Sequence, residues 1–556
     1  MRSAMQNAAL FLHSDALDTT TSRLMGRHAA GESFLRGFLK HADVERFHVW
    51  DKGGQGRDVL EPLLARLGAP ADRHVRWIGA RERPLLSDPG VVHLPDPNIP
   101  REAWLRRTVG SRAYAISGLT HTTATESTMR TIGDLLLAPV EDYDALICTS
   151  AAVRASVETQ MEGVRDYLAQ EFGPRRRPEP QRVVIPLGVN VSDFAVTPGQ
   201  RQAWRARLGI PDDAVVALYV GRFNALDKMN PGLMAIALER AAQTTGKPIY
   251  WVNSGWAERP SDAEFYHGAA RALCPSVTYL HLDGREPDVR FSIWSVADFF
   301  ISFSDNIQET FGITPVEAMA AGLPCVVTDW NGYKDTVRHG EDGFRISTTA
   351  PQAGLGGDLG YWFANDWMNY GSYVGAASQY VAIDYAEAVT AISALVQSPQ
   401  LRRRMGENGR ARARTVFDWS AIVPQYQALW AEQDARRRAA PPEPLAPDNP
   451  FRPDPYRLFA NYPTRHLGRD DRISLPADVT VAAAADRLAG PLAAYGRINR
   501  PSDAEVATAV AWLADQGSEA SLTDLLAVFP PERRAFVRRG LLWMARHGVV
   551  VLHPAR

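Results

Sequence analysis

Short apolar runs alternate with segments of helical spacing along most of the chain. Four runs occur in the first part, AALFLH, RFHVW, DALICTS and RVVIPL, and five in the second, VVALYVGR, PIYWVNSG, VTYLHL, DFFISFS and PCVVTD. Continuous apolar runs of this length are typical of strands buried on both faces. Helical patterns such as GESFLRGFLKHA and PGLMAIALERAAQ lie between them. The pattern predicts doubly wound α/β domains, each a parallel sheet wrapped by helices.

Breaks in this alternation predict the domain organisation. A break near VSDFAVTPGQRQAWRARLGIPDDA separates two Rossmann-like domains facing a cleft, at 1–200 and 201–414. A stretch rich in glycine and aromatic residues, about 348–380, is an insertion in the second domain. A Pro-rich linker covers 436–470. Residues 471–556 form a small, mainly helical accessory domain, whose end has the order helix, turn, helix, strand.

Composition narrows the classes of function. The chain has 556 residues, and its 61 Lys and Arg against 63 Asp and Glu give a net charge of −2, with no pull toward nucleic acid. The cysteines, Cys148, Cys274 and Cys325, form no CxxC pair, which argues against a disulfide framework or a zinc site and fits a reducing cytosol. No signal-peptide pattern and no apolar run of about 18 residues occurs, so we expect a cytoplasmic protein, at most peripheral to a membrane.

Two glutamates in the stretch QETFGITPVEAMAAGLPCVVTDWNG mark a candidate site. Glu309 follows the carboxyl end of the predicted strand DFFISF, the edge where open α/β sheets place ligands. Thr314 and Glu317 have the spacing of a capping box, so Thr314 is expected to cap a helix that ends at Gly322. Gly312 allows the backbone to approach a ligand, and free N–H groups at a helix start can hold an anion.

These segments resemble family 4 retaining glycosyltransferases, which have the GT-B fold. ETFGITPVEAMAAGLPCVVTDWNG resembles their E-x7-E signature, and SVADFFISFS is similar to the strand before it. LYVGRFNALDK resembles the strand and loop that supply the family's donor-phosphate Arg and Lys. VIPLGVNVSDF is similar to the domain junction, and RRRMGENGRARARTVFDW to the last helices, which in this fold cross back to the first domain, here near 415–435. The similarity covers about 8–430 and is stronger in the second domain.

The resemblance implies roles for residues on the donor side. Glu309 is expected to bind the hydroxyls of the donor sugar, and Glu317 those of the nucleotide ribose. The backbone N–H groups of Phe311, Gly312 and Ile313 are expected to contact sugar and phosphate.

Two basic residues are expected to hold the diphosphate. Arg222, preceded by Gly221 in the donor-binding strand, and Lys228 would offset the charge that develops on the leaving group. Lys228 is one of five lysines in a chain that otherwise uses arginine. The alternative for Arg222 is a surface ion pair.

The first domain, the acceptor side, contributes two further candidates. Gly31, in LMGRHAAGESFLRGFLKH, occupies the place of the family's Gly-rich turn and is expected to begin a helix close to the diphosphate. His121, in ISGLTHTTATES, resembles the first-domain histidine that contacts the donor sugar. The alternatives are an ordinary helix-start glycine and an ordinary surface histidine.

Two other motifs suggest different chemistry. Asp142-Tyr143-Asp144 spells D-x-D, the metal motif of another glycosyltransferase fold, but it leads into a buried strand and is interpreted as structural. We therefore expect no metal and no cofactor. Four arginines near the end of the chain, Arg533, Arg534, Arg538 and Arg539, suggest a winged-helix DNA reader. Nearby acids balance them, which favours a protein-contact or dimer-forming module and no nucleic acid.

The predicted function is retaining transfer of a sugar from a nucleotide-diphosphate donor to a saccharide or lipid-linked acceptor, in bacterial envelope or exopolysaccharide synthesis. The alternatives are an epimerase or phosphorylase on the same fold and a non-catalytic sugar-nucleotide sensor. Self-association is expected through the accessory domain or the aromatic insertion. Arginine clusters at Arg101, Arg106 and Arg107 and at 175–177 favour contact with an anionic membrane surface, with solvated surface faces as the alternative.

Overall fold

The computed structural model describes residues 7–14, 26–69, 74–174, 177–442, 449–496, 499–517 and 519–555. The chain forms two compact units, Met1–Asn449 and Pro450–Arg556. Residues 175 and 176 of the predicted arginine cluster and 443–448 of the predicted linker lie outside the described residues. No helix in the described ranges is both long and apolar enough to span a bilayer.

A parallel sheet of seven strands forms the core of the first domain, in the order β3-β2-β1-β4-β5-β6-β7. Its strands are β1 Ala9–Phe11, β2 Arg46–Asp51, β3 His74–Gly79, β4 Val91–Leu94, β5 Ala115–Leu119, β6 Ala145–Cys148 and β7 Gln181–Val184. Its helices are α1 Gly26–His41, α2 Arg57–Arg66, α3 Ile99–Arg106, α4 Glu126–Asp134 and α5 Ala151–Phe172.

The apolar runs in the sequence do not predict strands β3, β4 and β5, because polar residues interrupt these strands. His93 in β4 and Ser117 in β5 are buried on neighbouring strands, where the His93 Nδ1 atom lies 2.9 Å from Ser117 Oγ. The polar atoms satisfy each other, so both strands stay in the core.

A second parallel sheet, of six strands, has the order β10-β9-β8-β11-β12-β13. Its strands are β8 Val215–Arg222, β9 Ile249–Trp256, β10 Thr278–Asp283, β11 Phe299–Ser302, β12 Cys325–Thr328 and β13 Gly343–Ile346. The helices around it are α6 Gln200–Leu208, α7 Gly232–Thr245, α8 Pro260–Leu273, α9 Pro287–Arg290, α10 Ile313–Ala321 and α11 Tyr333–Thr336. The prediction of two Rossmann-like α/β domains is confirmed.

The aromatic insertion forms a small unit of its own. The antiparallel strands β14 Thr348–Thr349 and β15 Ala382–Ile383 flank helices α12 Gly357–Ala364 and α13 Tyr370–Ser378. No residue of α12 is buried, and α12 is held to α13 by Phe363 and Tyr373, whose rings stack with centroids 4.3 Å apart. Trp367 is 69% exposed. Tyr361, Trp362 and Tyr380 of the insertion are exposed as well.

Three helices follow the insertion, α14 Tyr385–Gln397, α15 Pro399–Arg412 and α16 Trp419–Ala439, with a π-helical turn at Ala413–Phe417 between the last two. Helix α16 packs on the first domain. The Trp430 indole donates to Ser117 Oγ, and the Gln433 carboxamide donates to the carbonyls of Ile116 and Tyr143. The helix therefore contributes a buried face and these hydrogen bonds, among others, to the first core.

The D-x-D segment, interpreted from the sequence as structural, supplies a buried carboxylate to the first core. Asp144 and Arg106 are both fully buried, and their Oδ1 and Nη1 atoms lie 2.6 Å apart. Asp144 also accepts from the backbone N–H groups of Ile116 and Glu141. Because Arg106 is committed to this pair, its proposed part in a membrane-facing cluster is wrong.

The Pro450–Arg556 unit combines helices with a three-stranded antiparallel sheet of order β17-β16-β18. Its elements are α17 Pro455–Leu458, β16 Arg472–Ser474, α18 Val481–Ala489, α19 Pro491–Ala494, α20 Asp503–Asp515, β17 Ala520–Ser521, α21 Leu522–Ala527, α22 Pro531–Arg546 and β18 Val551–His553.

Three of the four clustered arginines at the start of α22 are used inside this unit. Arg533 pairs with Glu505, Arg534 donates to the carbonyls of Ala527 and Phe529, and Arg538 donates to the carbonyl of Leu467.

We predict that Arg106→Met lowers the free energy of unfolding by about 3–5 kcal/mol, since it leaves the Asp144 carboxylate buried without its partner. Urea denaturation followed by tryptophan fluorescence measures this. The double variant with Asp144→Asn should recover part of the loss, because the unpaired charge is gone. An Arg106→Met protein as stable as the wild type would contradict the prediction.

Candidate functional site

An ion pair joins the two loops that follow β8 and β11, which are neighbours in the second sheet. Lys228 Nζ, in the loop after β8, lies 3.3 Å from Glu309 Oε2, in the loop after β11. Both side chains are largely shielded, with 28% and 17% of their surfaces exposed. The structure thus brings together two residues that are 81 positions apart, at the carboxyl edge of a parallel sheet.

The surroundings of Glu309 keep its carboxylate ionised. Burial alone would raise the pKa of Glu309, but Lys228 and the backbone N–H groups of Thr310 and Gly312 outweigh burial and lower the pKa below its usual value. The two N–H groups donate to Oε1, at 3.3 Å and 3.1 Å. Glu309 is therefore an anion and a hydrogen-bond acceptor at neutral pH, not a proton donor.

Helix α10 begins differently from the predicted capping box. Gly312 is its N-cap, with φ of +84°, and no side chain caps the helix. Thr314 is the second helical residue, so Glu317 lies one turn inside the helix and cannot reach back to a cap. A Cβ atom on Gly312 would overlap the buried ring of Tyr333, so glycine is required both for its φ and for space. The predicted end at Gly322 is confirmed, with Gly322 in the left-handed conformation.

The N–H groups at this helix start differ in their availability. The Gly312 N–H donates to Glu309, whereas those of Phe311 and Ile313 have no hydrogen-bond partner among the described residues. The Phe311 side chain is buried against Phe417. The backbone of this turn can therefore donate to a ligand beside the ion pair.

Arg222 ends β8, and its guanidinium contacts Asp227, with both Nη atoms 3.4 Å from Oδ2. Asn224 Oδ1 accepts from the N–H groups of Leu226 and Asp227, which folds this loop into a turn. A side chain on Gly221 would meet the Tyr219 hydroxyl. Arg222 and Lys228 therefore lie on one short, tightly folded segment.

Glu317 is a second titrating group of this region. Burial raises its pKa to about 7, and Arg290 opposes that shift only in part. Glu317 thus changes charge near neutral pH while Glu309 does not.

Thr310, next to Glu309, is bound by the first domain on both sides. Its hydroxyl donates to the carbonyl of His121, and its own carbonyl accepts from the Ser150 hydroxyl at 2.7 Å. The backbone N–H of Ala151, at the start of α5, donates to Asp335 at 2.6 Å. A cavity of about 280 Å³ lies at this junction, between residues such as Gln160 and Glu309.

His121 and Gly31 instead line a cavity of about 610 Å³ in the first domain. Its walls are mostly apolar and include Leu10, Phe11, Leu12, Phe34, Leu119, Leu187, Trp419 and Tyr426, with Asp96, Thr122 and Thr125 among the polar residues. The Tyr426 hydroxyl is buried without a hydrogen-bond partner in the part of the chain that the structure describes. His93 is fully buried at the same cavity, and burial followed by the nearby His121 lowers its pKa to about 3, so it is neutral.

The expectation that Gly31 begins a helix is wrong. Helix α1 starts at Gly26, so Gly31 lies in its second turn. It remains a cavity residue, but its backbone is inside the helix and not at the anion-binding end.

Three residues that hold the site together were missed by sequence reasoning. The Asn306 side chain forms hydrogen bonds with the loop after β8 and with its own loop after β11. Asn331 donates to the Glu309 carbonyl, and Thr310 contacts the first domain. Their partners are distant in sequence and follow no periodic pattern. The three cysteines, Cys148, Cys274 and Cys325, form no disulfide with one another and are buried. Across the described ranges, no group of three or more His, Cys, Asp or Glu is arranged to hold a metal.

We predict that Glu317→Gln stabilises the protein at pH 8 and leaves it nearly unchanged near pH 4. A folded pKa of about 7, above the unfolded value, means that stability is present below the unfolded pKa and is lost as pH rises through 7. The neutral amide avoids that loss, so its melting temperature should exceed that of the wild type by a few degrees at pH 8 only. A lower melting temperature at both pH values would instead support a capping role.

Comparison with known proteins finds similarity to one family over part of the chain. Residues 200–354 match the family model "Glycosyl transferases group 1". Over 242 residues the chain is 29% identical to a D-inositol 3-phosphate glycosyltransferase of Streptomyces scabiei, covering 40% of this chain and 52% of that protein. The corresponding protein of Mycolicibacterium gilvum is 30% identical over 249 residues, covering 44% and 50%. The chain thus spans about half the length of these relatives.

Among solved structures, Anabaena HepE in complex with UDP aligns with a TM-score of 0.49 and 15% identity, covering 77% of this chain and 100% of that one. The segment at 200–354, which carries Arg222, Lys228, Glu309 and Glu317, is similar to the glycosyl transferases of group 1.

Proposed function

We propose that the chain is a retaining glycosyltransferase that moves a sugar from a nucleotide-diphosphate donor to a saccharide or lipid-linked acceptor. The observation that carries the proposal is the Lys228–Glu309 ion pair, set beside the N–H groups of Phe311 and Ile313, for which the described ranges hold no partner. It gives one edge of the second sheet a cation, an anion and oriented backbone donors. These are the groups that a sugar diphosphate requires.

The donor diphosphate would be held by Arg222, Lys228 and the start of α10. As the glycosidic bond breaks, negative charge grows on the leaving phosphate, and fixed cations and N–H groups stabilise it most at that moment. When the donor binds, Lys228 would leave Glu309 and pair with a phosphate of the donor. This exchange frees one oxygen of Glu309 to accept from sugar hydroxyls.

Glu309 stays ionised, so it does not supply a proton to the leaving group. In the proposed mechanism the acceptor hydroxyl attacks from the face that the diphosphate leaves, and the diphosphate takes the acceptor proton. Retention rests on the E-x7-E resemblance of this segment. The protein positions the two substrates and stabilises charge.

The acceptor is proposed to enter from the first-domain cavity, at which His121 lies. The mostly apolar walls favour an acceptor with an apolar portion, as in a lipid-linked sugar, since burying apolar surface is favourable.

Donor turnover is the direct test. We expect one nucleotide sugar of a broad panel to give nucleoside-diphosphate release that depends on acceptor and persists in EDTA, because Arg222 and Lys228 take the place of a metal. Binding of nucleotide sugars without release under any acceptor would contradict the proposal and support a sensor.

Glu309→Gln should lower kcat by about 100-fold or more, because it removes the anion that faces the sugar and keeps the shape of the side chain. Initial rates of nucleoside-diphosphate release measure this, with the melting temperature as a check on folding. Glu407→Gln, an exposed glutamate of α15, is the matched control and should retain full activity. A Glu309→Gln enzyme with normal kcat would exclude the proposed role.

Acceptors that differ only in an apolar aglycone test the cavity. We expect an alkyl or aryl glycoside to have a higher kcat/KM than the free sugar, and Phe34→Ser to reduce that advantage. The reduction should be selective, with activity on the free sugar largely kept. Equal kcat/KM values for both acceptors in the wild type would contradict the assignment.

A further inference from the structure

Asn306 connects three separate segments around the Lys228–Glu309 pair. Its side chain is almost completely buried, at 1% exposure. The Nδ2 group donates to the carbonyl of Leu226 at 2.7 Å and to that of Val374 at 3.4 Å. The Oδ1 atom accepts from the N–H of Gln308 at 2.8 Å. One carboxamide thus uses both its donor and its acceptor ends.

Each partner adjoins a residue or element of the site. Leu226 lies two positions before Lys228, and Gln308 lies immediately before Glu309. Val374 belongs to α13 of the aromatic insertion. The backbone of Asn306 adds to this network, because its carbonyl accepts from the Trp330 indole at 3.0 Å. The loops that carry the cation and the anion are therefore tied to one another and to the insertion.

Helix α13 also packs directly on the lysine loop. Gly375 faces Leu226 with no side chain between them, and a Cβ at this position would lie 3.1–3.2 Å from Leu226 atoms. Tyr370, in the first turn of α13, is hydrogen-bonded to Thr122 of the first domain and is close to the Arg222–Asp227 pair. The insertion is therefore part of the wall of the site, although its aromatic helix α12 faces solvent.

We propose that Asn306 is a positioning residue that sets the separation of Lys228 and Glu309, and that α13 of the insertion holds it in place. The proposal rests on the proposed function for its catalytic consequence, whereas the coupling of the ion pair is a property of the protein itself. The charges of Lys228 and Glu309 do not depend on the insertion, but in this proposal the distance between the two groups does.

Asparagine suits this position for a chemical reason. Two carbonyl oxygens and one N–H converge on the side chain, and a carboxamide matches them with two N–H donors and one oxygen. An aspartate would turn both carbonyl contacts into repulsion between acceptors. An alanine would leave the Leu226 carbonyl and the Gln308 N–H without this partner, whereas the Val374 carbonyl would keep its bond from the Ser378 hydroxyl. The loops could then separate.

Loosening of the two loops has a signature in pH dependence. The charged group that faces Glu309 is Lys228, and the Tyr219 and Tyr333 hydroxyls nearby stay neutral because burial raises their pKa values. If Lys228 recedes while burial persists, the pKa of Glu309 rises. The acid limb of kcat/KM then moves to higher pH, which a general loss of folded protein does not produce.

Two charge-neutral variants test the contact from opposite sides. Asn306→Ala removes the carboxamide, and Gly375→Val pushes α13 against Leu226 without changing Asn306. Both should lower kcat about 10- to 100-fold, as expected for misplaced catalytic groups. Both should also shift the acid limb upward, with a smaller change in KM for the donor.

Matched controls lie in the same insertion. Gly371→Val adds the same side chain to α13 where a Cβ meets only ordinary contact, and Asn365→Ala removes an exposed carboxamide that bonds only within the insertion. Both should behave like the wild type. The proposal would be overturned if the acid limb did not move in the Asn306 and Gly375 variants and unfolded protein alone explained their lower rates.

A readout without turnover separates this inference from the proposed function. A double-mutant cycle of Lys228→Met and Glu309→Gln on melting temperature measures the coupling of the pair. We expect clear coupling in the wild-type background and a much smaller one with Asn306→Ala. Equal coupling in both backgrounds overturns the positioning role. Absence of turnover in the wild type, with the coupling lost as expected, overturns only the proposed function.

Discussion

The ion pair between Lys228 and Glu309 is the interaction around which this part of the molecule is organised. Its partners end up together because β8 and β11 are adjacent in the sheet and both present their carboxyl ends to one edge. Burial of a lone carboxylate would be costly, so the second oxygen of Glu309 is held by two backbone N–H groups. These bonds in turn require the left-handed backbone conformation at position 312, which glycine adopts without strain. Charge, burial and backbone conformation are thus satisfied together.

The same loop also links the two sheets. Thr310 follows Glu309 directly, and its hydroxyl and carbonyl both bond to the first domain, to His121 and Ser150. A relative movement of the two domains must therefore break or shift contacts at the residue next to the carboxylate. This arrangement couples opening of the junction to the position of Glu309, which suits a site that admits substrates and then excludes water.

Three expectations failed for related physical reasons. The residues of the motif at Thr314 and Glu317 fit a capping box by spacing, but the left-handed Gly312 starts the helix two residues earlier. Arg106 resembles a surface arginine in sequence, yet Asp144 is available 38 positions later to pair with it in the core. Gly31 follows a helix start that lies one turn further upstream. In each case a local pattern was compatible with two environments. For Arg106 a residue 38 positions away decided between them, and for the two helices the observed first residue did.

The sequence alone determined the alternation of buried strands and helices, the two α/β sheets and the end of α10 at Gly322. It also identified Arg222, Lys228, Glu309 and Glu317 as candidate site residues. These features depend on local apolar patterns, on glycine conformation and on short motifs. The tertiary structure decided which charges meet, because sheet order brings β8 beside β11 although many residues separate them. It also decided the roles of Asn306 and Thr310, which bond to Val374 and His121, 68 and 189 positions away. Contacts between distant segments leave no periodic mark in a single sequence, and those contacts fix the geometry of the site.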